Sequence, residues 1–244
     1  MIEELLPASV VAVEARPDDA AAGALEAALH PEEVALVARA VAKRRREFAV
    51  VRACARRAME KLGVPPQPVL SGERGAPRWP RGIVGSMTHC DSYCAAALAR
   101  VTDLASLGID AEPHGPLPEG VEPAVTLPGE RDRLRRLTAD HPGIRWGRLL
   151  FSAKESVYKA WYPLTGRWLD FSEADIELWP DPDTGGDPEA GGDVRARGGL
   201  RAELLVPGPV VEGRRVRTFE GRWTVRQGLV ATAIVVPYDS GTRP

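Results

Sequence analysis

Asp110 and Glu112 close an alternating, strand-like run, Gly108-Ile109-Asp110-Ala111-Glu112-Pro113, in which two carboxylates stand one residue apart. In a strand, positions i and i+2 project from one face, so both can reach a single hard cation. Mg²⁺ commonly takes one or two protein carboxylates and completes its octahedron with water and phosphate oxygens. Pro113 stops the strand directly after Glu112. The pair is left at a strand end beside a loop, where functional groups are often held. A second group lies in Phe151-Ser152-Ala153-Lys154-Glu155-Ser156-Val157-Tyr158-Lys159-Ala160-Trp161. Read as a helix, this stretch sets Glu155 and Lys159 one turn apart. Together the two stretches supply oxygen ligands, a candidate base and a cation for a phosphate. That set suits magnesium-assisted chemistry on a pyrophosphate.

Each stretch alone has a plainer reading. Asp-x-Glu also describes a solvated strand end, and Glu followed four residues later by Lys is the favoured orientation of a helix-surface ion pair. The helix around Glu155 argues for more. At about 100° per residue, Leu150, Ala153, Val157, Ala160, Trp161 and Leu164 form an apolar face, while Phe151, Glu155, Tyr158, Lys159 and Tyr162 lie opposite. A merely solvated face has no need of three large aromatics beside a charged pair, so a covered cleft is expected.

The order of the motifs discriminates further. Gly-Ile-Asp-Ala-Glu, followed a few dozen residues later by Phe-Ser-Ala-Lys-Glu-Ser-Val-Tyr-Lys-Ala, resembles the signature of 4′-phosphopantetheinyl transferases. More narrowly it resembles the large surfactin-type class and its enterobactin-type branch. Upstream, Lys43 to Arg52 resembles the family's arginine-led helix, and Gly85-Ser86-Met87-Thr88-His89 its Gly-Ser-x-(Thr/Ser)-His segment. The resemblance covers most of the chain. It implies an α+β fold of two similar subdomains related by a pseudo-twofold axis, with coenzyme A and Mg²⁺ in the cleft between them. It also implies transfer of 4′-phosphopantetheine from coenzyme A to a serine of an acyl or peptidyl carrier protein, releasing 3′,5′-adenosine bisphosphate.

On the family's pattern Asp110, Glu112 and Glu155 are metal ligands, and Asp110, Glu155 and Lys159 form the catalytic set. Glu155 is third ligand, base for the serine proton, or both; Lys159 holds a phosphate, with Lys154 a second candidate. The 3′-phosphate of coenzyme A falls to Arg44 and Arg52, Arg45 being an alternative to Arg44. Arg74, Ser86, Thr88 and His89 complete the contacts. Two positions depart from the pattern: Ser71 and Ala76 stand where relatives often carry lysine, leaving Arg74 as that loop's cation, and Phe151 replaces a common tryptophan.

The 244 residues, 44% of them hydrophobic, are ample for one large domain or two halves. A net charge of −2 carries no global basic signature for nucleic acid or membrane. The acidic start, Met1-Ile-Glu-Glu, is unlike a secretory signal, and the longest apolar stretch, near Leu229 to Val236, is too short to span a bilayer. Three cysteines without a Cys-x-x-Cys suggest neither a disulfide framework nor a zinc site, so Cys90 and Cys94 read as small core residues. A cytoplasmic monomer is expected. The competing functions are another Mg²⁺-dependent phosphoryl transferase, or a nucleic-acid-binding protein built on the Lys43–Arg57 helix and the arginine-dense segment Arg131–Arg148.

The division expected is residues 1–112 and 113–244. The first half reads as a strand over Ser9–Glu14, helices over Pro31–Ala42 and Arg46–Leu62, and two partner strands turning at Thr102-Asp103 and ending at Glu112. The second reads as the signature helix and strands near 175–178, 201–206, 221–226 and 229–236, with a hairpin turn at Gln227-Gly228. Residues 181–199, rich in Gly, Asp and Pro, read as a mobile excursion. Arg131, Arg133, Arg135, Arg136, Arg145 and Arg148 read equally as a carrier-protein docking surface or a solvated helix.

Overall fold

The computed structural model describes residues 1–16, 22–90, 93–182, 184 and 194–238. The chain begins with β1 (Val11–Ala15), the short helices α1 (Ala22–Ala27) and α2 (Pro31–Val37), and the twenty-residue helix α3 (Ala42–Lys61). Strands β2 (Ile83–Cys90) and β3 (Tyr93–Arg100) follow, and the three strands form an antiparallel sheet in the order β1-β3-β2. β3 is buried on both faces. Cys94, Ala96 and Leu98 pack under Val51, Ala55 and Met59 of α3, while Ala95, Ala97 and Ala99 join Leu107, Ile109, Ala231 and Ala233 of the second sheet. Small residues on that face let the two sheets approach closely.

The second half comprises β4 (Leu104–Pro113), α4 (Glu122–Val125), α5 (Pro128–Asp140), α6 (Trp146–Thr165), β5 (Ala174–Pro180) and β6 (Ala196–Leu204). It continues with β7 (Val210–Val211), β8 (Arg214–Arg215), β9 (Thr218–Arg226) and β10 (Leu229–Pro237). Five of these strands make an antiparallel sheet in the order β4-β10-β9-β6-β5, and β7 and β8 form a separate small ribbon. α6 is twenty residues long and buries Leu149, Leu150, Ala153, Val157, Ala160 and Trp161 against Ile176, Leu200, Trp223, Val230 and Ile234. Each half thus sets one twenty-residue helix on an antiparallel sheet, giving two similar α+β subdomains. Among the described residues no helix is long and apolar enough to cross a membrane.

Several expectations shift. β3 and β4 are not partners: β3 pairs with β1 and β2, while β4 pairs with β10. The Thr102-Asp103 turn therefore carries the chain from one sheet to the other. By hydrogen bonding, the strand holding Asp110 belongs to the second half, and the boundary expected at residue 112 falls one strand too late. Strand alternation is blind to which partner a strand takes, because both choices bury the same face. α3 starts at Ala42, four residues earlier than the apolar stripe indicated, since a first turn of Lys and Arg carries no apolar mark. Of the expected excursion over 181–199, residues 183 and 185–193 lie outside the described residues, while 196–199 open β6. The Gln227-Gly228 turn is as expected: both residues have positive φ, 53° and 70°, as a type I′ hairpin requires.

One glycine sets the site. A Cβ on Gly108 would collide with the carbonyl oxygen of Ser156 and lie 2.7 Å from the amide nitrogen of Ala160. α6 crosses β4 in direct backbone contact there. Ser106 strengthens the seat by donating to Ala160 O at 2.8 Å.

Candidate active site

The two sheets are joined by hydroxyls beside the acidic pair. Ser86 Oγ on β2 accepts the amide of Ile109 at 3.1 Å, and Thr88 Oγ1 accepts that of Ala111 at 3.0 Å. Thr88 also donates to Asp110 Oδ1 at 3.1 Å. Thr88, expected around a phosphate, is therefore committed to β4, as is the Ser86 hydroxyl; Ser86, whose backbone was expected there, still lines the cleft described below. From the other side Lys159 Nζ donates to Asp110 Oδ1 at 2.7 Å and to Ile109 O at 3.1 Å. Asp110 Oδ2 is buried with no hydrogen-bond partner. A buried carboxylate oxygen left unpaired is costly, and a cation is the partner that suits it.

Glu112 is half-buried and meets Arg148 of α6, whose Nη1 lies 3.1 Å from Oε2. Burial, then the charge of Asp110, pushes its carboxyl above the usual range, against the pull of Arg148 and Lys159. Burial also raises Glu155, with Lys159 opposing and Asp110 adding. Among the described residues no three carboxylate, histidine or cysteine side chains gather into a ready-made metal cage. Lys159 and Arg148, both from α6, hold Asp110 and Glu112. The partnerless oxygen of Asp110, with Glu112 two residues along the same strand, nevertheless matches the donors of Mg²⁺, which leaves most of its sphere to water and phosphate.

Glu155 and Lys159 open into a cleft of about 710 Å³ between the halves. One wall is α6, with Tyr158 and Tyr162; the other is α3, with Arg44, Phe48 and Arg52; the rim is the 71–79 loop. The aromatics that flank Glu155 thus do cover a cleft, except Phe151, which packs edge-on against Phe171 with centroids 6.0 Å apart. Arg52 is buried, donates to Val69 O at 3.2 Å and lies 3.2 Å over the Phe48 ring; burial lowers it to about 10, so it stays charged at neutral pH. Arg44 touches His89, while Arg45 turns away to Ala40 O and Glu26. Of the two, Arg44 lines the cleft. Burial foremost, then the charges of Arg44, Lys159 and Arg52, lower His89 to about 4, which keeps it neutral at pH 7.

The rim loop is pinched at its base by Gly72 N donating to Ala76 O at 2.7 Å, which sets Arg74 at the tip with φ 54°. Its guanidinium reaches across to the Trp168 ring at 5.5 Å, spanning the two halves. Arg78 and Trp79 also line the cleft and went unmarked in the sequence. Their signal was the approach of Arg78 to Gly72, which only the folded loop creates. Lys154 is not a site residue. It is buried, pairs with Glu130 at 2.8 Å and donates to the carbonyls of Phe171 and Ala174, so it ties α6 to α5 and β5. The arginine-dense segment divides similarly: Arg133 is bonded to Asp175 and Arg148 to Glu112, while Arg131, Arg135, Arg136 and Arg145 are exposed, Arg135 with a surface bond to Asp132.

Comparison with known proteins decides the lineage. Residues 32–99 match the family profile of the 4'-phosphopantetheinyl transferase N-terminal domain, and residues 106–188 that of the 4'-phosphopantetheinyl transferase superfamily. The chain belongs to the 4′-phosphopantetheinyl transferase family. It is 55% identical to 4'-phosphopantetheinyl transferase Svp of Streptomyces mobaraensis over 99% of this chain and 92% of that one. With 4'-phosphopantetheinyl transferase Npt of Nocardia iowensis it shares 48% over 96% and 99%. Against enterobactin synthase component D of Salmonella typhi the identity is 34% over 48% of each chain. The enterobactin-type branch thus has weak support beside the strong family match. In a transferase of this family the split between the two matched profiles, after residue 99 and before 106, coincides with the turn at which the chain changes sheets.

Proposed function

We propose that this transferase moves the 4′-phosphopantetheine group of coenzyme A onto a serine hydroxyl of an apo acyl or peptidyl carrier protein, with Mg²⁺, releasing 3′,5′-adenosine bisphosphate. The observation that carries the reading is the partnerless buried oxygen of Asp110, placed beside a cleft whose far wall presents Arg44 and Arg52. Asp110 and Glu112 would hold Mg²⁺ with Glu155 beside them, and the ion would neutralise charge gathering on the pyrophosphate. Lys159 is within reach of the same region and places a cation where the phosphates lie. Glu155 lines the cleft, where it is placed to accept the serine proton; burial raises its affinity for protons, which suits a base working near neutrality. Arg44 and Arg52 bind the 3′-phosphate, and neutral His89 adds a hydrogen bond. The exposed Arg131, Arg136 and Arg145 are suited to meet an acidic carrier. A cytoplasmic setting is part of this reading, and a monomer suffices because both cleft walls come from one chain.

The test is incubation with coenzyme A, Mg²⁺ and apo carriers of fatty-acid, polyketide and non-ribosomal-peptide type, read by intact mass. One phosphopantetheinyl group should be added, and EDTA should stop the reaction. Tight coenzyme A binding with no carrier modified would overturn the proposal.

The arginines should act through binding. Arg44→Ala should raise the KM for coenzyme A more than it lowers kcat, and the penalty for lacking the 3′-phosphate, measured with 3′-dephospho-coenzyme A, should shrink. Arg52→Ala should behave alike but lose stability as well, because the side chain is buried on Phe48. An unchanged penalty in both would move the 3′-phosphate to Arg74 or Arg78.

A further inference from the structure

Arg148 lies outside the residues that the metal and coenzyme A readings use, yet it bonds one of them, Glu112, and two backbone carbonyls just beyond it. Nη1 donates to Glu112 Oε2 at 3.1 Å, Nη2 to Pro116 O at 2.5 Å and Nε to Gly115 O at 3.5 Å. The side chain is largely buried, at 15% exposure. On α6, positions 148, 155 and 159 fall within an arc of about 40° around the axis. One helical stripe thus delivers Arg148 to Glu112, Lys159 to Asp110, and Glu155 between them. Glu112 stands next to the end of β4, whose last residue is Pro113, and Arg148 ties its carboxylate to the segment just beyond.

We propose that Arg148 is a positioning residue that fixes the Glu112 carboxylate to share a divalent cation with Asp110. The proposal rests on the metal reading given above. Arg148 takes Oε2 alone and is itself locked by the two carbonyls, so Glu112 is held by one oxygen with the other left for the cation. Arginine's planar fork makes this three-point hold, which lysine, a single point charge, cannot repeat. The orientation of Glu112 is therefore settled before the cation arrives, and the ordering cost is removed from binding.

The experiment is calorimetric titration of the full chain with coenzyme A over a series of Mg²⁺ concentrations. In the wild type, Mg²⁺ should tighten coenzyme A binding; if it does not, the metal reading falls and this inference with it. Given that effect, Arg148→Gln should raise the Mg²⁺ concentration for half-maximal tightening about tenfold, leaving metal-free coenzyme A affinity unchanged. Arg148→Lys should recover less than half of the loss. Glu112→Gln should show a similar shift, to which Arg148→Gln adds nothing further. A normal Mg²⁺ response in Arg148→Lys, a tighter response in Arg148→Gln, or a full additional loss on the Glu112→Gln background would each overturn the proposal. If Arg148→Gln does not fold, the lysine variant and Glu112→Gln still decide.

Discussion

Asp110→Asn should lower kcat at least a hundredfold, about 2.7 kcal/mol of transition-state stabilisation, while the thermal midpoint stays within a few degrees of wild type. The side chain is held by Thr88 and Lys159 through Oδ1 alone, and Oδ2 has no partner. Asparagine can keep its oxygen toward Thr88 and Lys159, so the local packing survives. It replaces the partnerless oxygen with an amide nitrogen that no cation will accept. Glu155→Gln should show a comparable loss for a different reason, since an amide cannot take the serine proton. The two variants separate in their response to Mg²⁺: Asp110→Asn should weaken the metal dependence of coenzyme A binding strongly, and Glu155→Gln much less if it acts as base. Near-normal turnover in Asp110→Asn would make the strand-end pair structural. Wild-type turnover in Glu155→Gln would move the base elsewhere.

Gly108→Ala should damage both stability and activity. The added Cβ meets the Ser156 carbonyl and the Ala160 amide, both backbone atoms of α6 that cannot swing aside as a side-chain tip does. Overpacking of a closed core costs roughly 1–3 kcal/mol, and here relief requires lifting the helix from the strand. A chain of this size loses about 2–4 °C of thermal midpoint per kcal/mol, so a fall of several degrees is expected. Activity should drop further than stability accounts for, because Lys159 and Glu155 ride on the displaced helix while Asp110 stays on β4. Variants still folded at assay temperature should show the loss in kcat. A midpoint and a kcat both at wild type would mean that the helix and strand have room to part.

The comparison of sequence with structure is instructive at particular residues. Helix α6 was legible because its apolar residues recur at helical spacing and its aromatics cluster on the opposite face. The Gln227-Gly228 hairpin was legible because few residue pairs tolerate positive φ twice. The pairing of β4 was not, since its alternation is satisfied by β3 or β10 alike, and β10, its partner in the fold, lies far along the chain. Arg44 and Arg45 were equivalent in sequence and differ in the fold by one step of the helix, which turns one to the cleft and the other to Glu26.

Local spacing and residue type were enough to read the family resemblance, the two helix-on-sheet halves and the chemical inventory: carboxylates on one strand, a glutamate and a lysine on one helix, arginines on another. Which partner each of those groups takes depends on how the elements pack. Lys154 and Lys159 sit five residues apart on the same helix, yet one is sealed against Glu130 in the core and the other lies on Asp110 at the cleft. Thr88 holds a strand rather than standing free for a phosphate. A charged or hydroxyl group takes whichever partner the packing of apolar faces brings within hydrogen-bonding distance, and that distance spans residues far apart in the chain.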